Sequence, residues 1–128
     1  MNLSNWQKYA PILLRLALSF VFLWFGLNQL FDAETFRGYL PEFLLASEYG
    51  ITIIVLNGIF ETVLGILLAI GLFTRVVSFV LGLHLIGIAV GLGYNDIAIR
   101  DIGLALATFS ITIGGMDTWC VDFRRKKV

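Results

Sequence analysis

Four runs of about twenty mostly apolar residues constrain the fold of this chain more than any other feature. They cover approximately residues 12–31, 51–73, 76–94 and 97–116. Because an α-helix rises roughly 1.5 Å per residue, each run is long enough to cross ~30 Å of hydrocarbon. Strands are disfavoured, since the runs do not alternate and an open sheet leaves backbone groups unpaired in lipid. The sequence predicts an all-α fold: a single transmembrane domain built as an integral membrane, antiparallel four-helix bundle.

The composition agrees with a membrane protein and excludes several classes of function. The chain is 59% hydrophobic and 14% charged, whereas a soluble domain is about 45–50% apolar and about 25% charged. Its formal net charge of zero argues against a nucleic-acid partner, which requires a basic stripe. Cys120 is the only cysteine, so an internal disulfide and a cysteine-based zinc site are excluded. We predict no metal site and no intrinsic cofactor.

Basic residues are distributed unevenly among the segments that flank the runs. Arg37 and Arg100 fall on one side of the predicted bundle. The other seven fall on the opposite side: Lys8, Arg15, Arg75, Arg124, Arg125, Lys126 and Lys127. The positive-inside rule then predicts that both termini are cytoplasmic, and we expect the protein to lie in the plasma membrane. We expect Arg15 to snorkel to the cytoplasmic headgroups, and residues 117–128 to form a basic cytoplasmic tail on anionic lipid.

The segment between the first two runs is the longest connection. It reads 32-DAETFRGYLPEFLLASEYG-50 and carries an apolar cluster at residues 43–45. Such a mixture of acidic, aromatic and apolar residues favours a short interfacial helix or cap over the outer mouth of the bundle.

Glu61 lies near the middle of the second run, where an acidic side chain costs about 2.5–3.5 kcal/mol. Asn57 is four residues earlier, so both side chains project from one helix face. Counting ~1.5 Å per residue from the cytoplasmic ends predicts that six polar side chains meet in the outer half of the bundle. They are Asn28, Gln29, Asn57, Glu61, Arg100 and Asp101, with His84 about a turn lower. We predict that Glu61 faces Arg100 or His84 and that amide groups surround it.

These residues also have structural interpretations. Asn28 and Gln29 fit interfacial positions at a helix end, and His84 fits a packed histidine bonded to a backbone carbonyl. A structural Glu–Arg or Glu–amide pair stays open for Glu61. Gly87 and Gly91 form a GxxxG motif, which we expect to support packing within the bundle and only weakly dimerisation.

Three segments carry a resemblance to a known family. They are 14-LRLALSFVFLWFGLNQLF-31, 58-GIFETVLGILLAIGLFTR-75 and 99-IRDIGLALATFSITIGGMD-117. Through them the chain resembles the DoxX family of small four-span membrane proteins along almost its full length. The middle segment is the most specific, with an intramembrane Glu, a Gly-rich stretch and a terminal Gly-x-x-Thr-Arg. The family often has a Lys where this chain has Gln29, which shifts the expected partner of Glu61 toward Arg100.

The resemblance implies a redox association for this chain. Related proteins form a subunit of a thiosulfate:quinone oxidoreductase or act beside sulfurtransferase and superoxide dismutase partners. Other similar four-span proteins are cargo receptors or assembly chaperones. Fold carries over from such a resemblance better than activity does.

Two hypotheses about function follow. In the first, the chain is a redox-associated subunit whose outer-half pocket binds a quinone or another lipophilic molecule such as a lipid. Glu61 is then catalytic as a proton-exchanging carboxyl, Arg100 and Asn57 hold a carbonyl oxygen, and a partner redox subunit supplies electrons. In the second, the chain is a non-enzymatic assembly factor, receptor or lipid-binding bundle whose polar cluster fixes helix register.

A proton or ion channel is a weaker third interpretation, because one Glu and one His do not form a relay across ~30 Å of bilayer. The expected partners are membrane lipids and a redox subunit. A homo-oligomer stays open.

Overall fold

A computed structural model describes residues 4–127, which form helices and no strands. The four long helices are α2 (Ala10–Phe31), α4 (Gly50–Ile70), α5 (Thr74–Leu92) and α6 (Asp96–Gly114). The short elements are α1 (Ser4–Gln7), a 3₁₀ helix (Ala33–Tyr39), α3 (Glu42–Leu45) and α7 (Val121–Arg125). Each long helix is long and apolar enough to cross a membrane. The predicted all-α membrane bundle is confirmed.

The bundle consists of two closely packed helix pairs. α2 packs mainly on α4, and α5 packs mainly on α6, while α4–α5 and α2–α6 contacts are fewer. We call the end that carries residues 33–45 the cap side, and the opposite end the terminus side, because the segments that precede α2 and follow α6 lie there. Leu18, Phe22, Leu68 and Leu81 are buried in the main apolar core.

Two glycines set the close approach of α2 and α4. A Cβ added at Gly26 would lie 2.5 Å from Oγ1 of Thr62, and one at Gly58 would lie 2.9 Å from the carbonyl oxygen of Gly26. Small residues at such positions let two backbones approach in lipid. The GxxxG motif of Gly87 and Gly91, by contrast, does not pack against another long helix, although the sequence predicted that it would. A Cβ at Gly87 would meet no atom within 4 Å, and one at Gly91 would meet only Pro41.

Large apolar side chains cover the outer surface of the four long helices. Exposed examples from each helix are Leu13, Phe20, Leu56, Ile66, Val76, Leu83, Leu106 and Ile113. Monomeric soluble proteins rarely expose contiguous apolar patches larger than a few hundred Å². These side chains therefore contact lipid, and the helices are embedded in the membrane.

Residues 33–45 form the predicted cap over one end of the bundle. The carboxylate of Asp32 begins the 3₁₀ helix by accepting a hydrogen bond from the Thr35 hydroxyl at 2.6 Å. Phe36 and Leu40 are buried against Ile54 of α4, so the cap is fixed to the bundle by apolar contacts. It lies over the space between the long helices on this side.

Arg15 does not reach the headgroups as predicted. Its side chain is buried, and its Nε donates to Oδ2 of Asp117 at 2.6 Å. Its Nη1 donates to the carbonyl oxygen of Leu68 at 2.9 Å and also to that of Ala69. The last carbonyls of a helix lack intrahelical partners, so Arg15 both pairs with a buried acid and satisfies the end of α4.

Part of the segment after α6, where the sequence predicts a basic tail over residues 117–128, is docked on the bundle. Asp117 and Cys120 are buried, and the backbone N–H of Asp122 donates to the carbonyl oxygen of Gly71 at 3.1 Å. Gly71 has φ +71°, and a Cβ there would lie 2.6 Å from Cα of Cys120. Glycine is therefore required both by the turn and by the docked segment.

The carboxylate of Asp122 caps the N-terminus of α5 from outside that helix. It accepts hydrogen bonds from the backbone N–H of Phe73 at 3.0 Å and of Thr74 at 2.7 Å. The Thr74 hydroxyl also donates to it at 3.0 Å. Partial burial raises the pKa of Asp122, but these backbone hydrogen bonds outweigh it and hold the pKa below the ordinary value of 3.8.

Replacing Asp122 with alanine is expected to lower the free energy of unfolding by about 1 kcal/mol, the usual effect of losing a helix cap. Because the folded-state pKa lies below the unfolded value, this contribution is complete above 3.8. It is lost as the pH falls through the folded-state pKa. Unfolding of both proteins in detergent, followed at several pH values, checks this. If the difference in free energy of unfolding between the wild type and Asp122→Ala grew as the pH fell, the capping role would be contradicted.

Candidate functional site

A cavity of about 360 Å³ lies between the four long helices and the cap. Most of its wall is apolar, and all four long helices contribute to it. Six polar residues also line it: Gln29, Asn57, Glu61, His84, Arg100 and Asp101. All six belong to the seven polar residues that the sequence analysis grouped together, and only the seventh, Asn28, is not on the cavity wall.

Glu61 is buried, and both of its carboxylate oxygens have partners. Oε1 lies 3.1 Å from Nε2 of His84, and Oε2 accepts a hydrogen bond from Nε2 of Gln29 at 3.1 Å. The amide oxygen of Gln29 in turn accepts from Nδ2 of Asn57 at 2.8 Å. Side chains from α2, α4 and α5 thus form one connected polar chain, which we call the Glu61 network (Gln29, Asn57, Glu61 and His84).

Local helix geometry explains why these side chains converge. Asn57 and Glu61 are one turn apart on α4, so they project from the same side of that helix. Gly58 between them allows α2 to come close, which brings Gln29 within reach of both. His84 enters from α5 and packs against the ring of Phe60, with ring centroids 4.8 Å apart. The Phe60 ring therefore helps to hold the imidazole in place beside Glu61.

Of the two partners predicted for Glu61, the structure has His84 and not Arg100, toward which the resemblance had shifted the expectation. The Nε and Nη2 of Arg100 both donate to Oδ1 of Asp101, at 2.9 and 2.8 Å. Its guanidinium lies over the rings of Phe25 and Tyr39, at 5.1 and 6.0 Å from their centroids. The adjacent buried carboxylate and these two aromatic faces hold Arg100 at the cap side, so His84 fills the position opposite Glu61.

Asn28 also departs from the prediction, since it does not line the cavity. Its Nδ2 donates to the carbonyl oxygen of Trp24, one turn earlier on α2, at 2.7 Å. Adjacent helical residues differ in direction by about 100°, so Gln29 points inward and Asn28 does not. The sequence analysis compared only depths along the helix axis, and these are nearly equal for Asn28 and Gln29, so it could not show which of the two faces the cavity.

The aromatic part of the wall was not identified from the sequence. Phe25, Phe36 and Tyr39 form a cluster with ring centroids 5.4 to 6.2 Å apart. One side of this cluster lines the cavity. The apolar and aromatic content of the connection predicted a cap, but nothing in it indicated which rings turn inward.

The arrangement suits a small, mostly apolar molecule that carries polar atoms. Ligand cavities in proteins typically measure about 300–1,000 Å³ and combine apolar walls with a few polar groups that fix orientation. An acid in contact with an imidazole can hold and pass a proton. Among the described residues, no three His, Cys, Asp or Glu side chains are grouped to hold a metal ion.

Comparison with known proteins gives a family and no individual relative. Residues 10–93 match the family model DoxX. No curated protein and no solved structure matches the chain significantly. The match covers α2, the cap, α4 and α5, and so includes the whole of the Glu61 network. The chain is a membrane protein that belongs to the DoxX family.

Proposed function

We propose that this protein binds a quinone-type molecule in the cavity and acts as the membrane subunit of a redox complex. The observation that carries the proposal is the contact of Glu61 with His84 on the wall of a mostly apolar cavity. Charged and ionisable groups inside a membrane are costly and commonly mark proton or ligand sites. A lipophilic molecule that takes up protons fits an apolar cavity with an acid and an imidazole on its wall.

Aromatic residues on the cavity wall suit a quinone ring. Phe25, Phe36 and Tyr39 offer aromatic faces and edges against which a ring can pack at favourable geometry. Arg100, held over two of these rings, has N–H groups that can donate to a carbonyl oxygen. The Glu61 network lies on the polar part of the wall, so a ring carbonyl placed there would meet a proton donor.

Reduction of a quinone to a quinol consumes two electrons and two protons. In the proposed function, Glu61 and His84 deliver the protons to the ring oxygens, and Gln29 and Asn57 keep the Glu61 carboxyl oriented. The electrons come from a partner redox subunit. The chain has one cysteine and one histidine, too few to hold an iron–sulfur cluster by cysteine ligation.

We place the protein in the plasma membrane, with both termini in the cytoplasm and the cap outside. Seven of the nine basic residues flank the terminus side in the sequence, which supports this orientation. The proposed site then lies in the outer half of the bilayer.

Labelling with an azidobenzoquinone tests the proposal directly. The purified wild-type protein is expected to incorporate the label in peptides that line the cavity. His84→Phe removes a hydrogen-bonding side chain from the cavity wall and is expected to reduce labelling about tenfold, the effect of losing one hydrogen bond to the quinone. Mass spectrometry of the peptides measures both the position and the extent of labelling.

Leu83→Phe is the matched control for that variant. Leu83 is adjacent to His84 on α5 but is half-exposed on the lipid-facing surface and does not line the cavity. Labelling of this variant should equal that of the wild type. Wild-type protein that takes up no label on α2, α4, α5 or α6 would overturn the proposal.

A non-enzymatic, lipid-binding or assembly role is the second candidate, and one observation favours it. The Glu61 network is already closed by its own hydrogen bonds, from Asn57 through Gln29 to Glu61 and His84. Such a network can fix helix register without any ligand. Absence of ring labelling together with an unchanged oligomeric or partner assembly in Glu61→Gln would favour this role.

A further inference from the structure

The cavity opens toward lipid at the cap-side half of the α4–α5 seam. Gly87 and Gly91 are one turn apart on α5, and both line the cavity while remaining exposed on the outer surface. A Cβ at Gly87 would meet no atom within 4 Å, and one at Gly91 would meet only Pro41. The wall of the cavity is therefore thin at these two residues.

The position of the opening follows from the way α4 and α5 are joined. A turn at Gly71, Leu72 and Phe73 holds the two helices together at the terminus side, yet they share few contacts along their length. The half-buried residues Ile53 and Asn57 border the cavity from α4. The gap between the two helices thus lies beside the cavity.

Exposed side chains next to the opening are apolar, and residues of the cap cover the cap end of the cavity. Leu56, Leu83 and Val90 are exposed on the neighbouring surface of α4 and α5, by 59%, 50% and 77%. On the cap side, Phe36 and Leu40 belong to the cap itself, and both are buried and line the cavity. A molecule in the cavity therefore meets acyl chains, and not water, at its open side.

We infer that the ligand is an amphiphile: a quinone-type ring in the cavity and an apolar tail that leaves between α4 and α5. The inference rests on the proposed function and adds the chemical class of the ligand. A cavity of about 360 Å³ is near the lower limit for a drug-sized ligand, so it holds a ring and not a long tail as well. The tail passes Gly87 and Gly91, where no side chain blocks it, and lies in lipid beside Leu83 and Val90.

A benzoquinone with a ring azide and a decyl tail that ends in a diazirine tests this directly. In the wild-type protein, the azide should label the cavity wall, and the diazirine should label peptides of α4 and α5 that contain Leu56, Leu83 or Val90. Tail labelling confined to residues 33–45, or to the lipid-facing surface of α2 and α6, would overturn the tail path and leave the proposed function intact. Failure of the ring azide to label the cavity would overturn both.

A pair of glycine variants gives an independent measurement. Gly87→Phe places a bulky side chain in the opening and should reduce labelling by the decyl probe about tenfold or more, while labelling by tailless azidobenzoquinone stays within about threefold. Gly103→Phe is the matched control, because Gly103 on α6 is equally free of neighbours within 4 Å but does not line the cavity. The inference would be overturned if the decyl probe labelled Gly87→Phe and Gly103→Phe equally. It would also be overturned if Gly87→Phe lost labelling by the decyl probe and by the tailless probe to the same extent.

Discussion

Replacing Arg15 with methionine is expected to lower the free energy of unfolding by about 3–5 kcal/mol, because it leaves the buried Asp117 carboxylate without its partner. Arg15 is 1% exposed, and its guanidinium makes two hydrogen bonds to that carboxylate. The carbonyls of Leu68 and Ala69 at the end of α4 also lose the hydrogen bonds that Arg15 donates. Reversible unfolding of the purified protein in detergent measures the change.

The control for this variant is the ion pair on the cap. Arg37 pairs with Glu34 on the exposed surface, and Arg37→Met is expected to leave the unfolding transition unchanged, because exposed pairs contribute little. Replacing both Arg15 and Asp117 by apolar residues, as Arg15→Met with Asp117→Leu, should recover part of the loss, since no buried charge is then unpaired. An Arg15→Met protein as stable as Arg37→Met would show that the buried pair does not stabilise the bundle.

Replacing Glu61 with glutamine is expected to slow quinone reduction in membranes by about 10²–10⁴-fold, the usual loss when a general acid–base group is removed. The amide has the same shape and keeps hydrogen-bonding capacity toward Gln29 and His84, so the bundle should remain folded. Ring labelling by azidobenzoquinone should therefore persist. The rate is measured as quinone-dependent oxidation of the partner's electron donor in membranes that contain either protein.

Glu34→Gln is the matched control, because it makes the same chemical change at an exposed carboxylate of the cap. It should leave the rate unchanged. A rate that is equal in Glu61→Gln and in the wild type would remove the proton-transfer role from Glu61. Retained ring labelling would then identify a binding site without chemistry at this carboxyl.

The membrane fold could be predicted from the sequence because its causes are local. An apolar run of about twenty residues is a helix in lipid whatever its neighbours, since only a helix or a closed barrel satisfies the backbone there. The same holds for the cap, whose apolar and aromatic residues have to be covered. The intramembrane position of Glu61 and its grouping with Gln29, Asn57 and His84 also followed from counting along each helix.

Which polar side chains contact Glu61 could not be predicted from the sequence, because it depends on the direction in which each side chain points around its helix axis. Asn28 and Gln29 are at nearly the same depth, yet only Gln29 contributes to the Glu61 network. Arg100 and His84 were both within reach of Glu61 by depth, and the neighbouring Asp101 together with Phe25 and Tyr39 holds Arg100 elsewhere. Rotation and pairing of helices result from packing between segments far apart in the chain.

The sequence by itself determined that this chain crosses the membrane in four helices and carries an acid at bilayer depth, because hydrophobic run length and helical rise are properties of each segment alone. Only the tertiary structure decided the partners. Arg15 meets Asp117, 102 positions later, and Gly87 opens the cavity where it was expected to pack against a neighbouring helix. Both outcomes depend on how the two helix pairs are rotated against each other, and that rotation is set by the shapes of all four helices together.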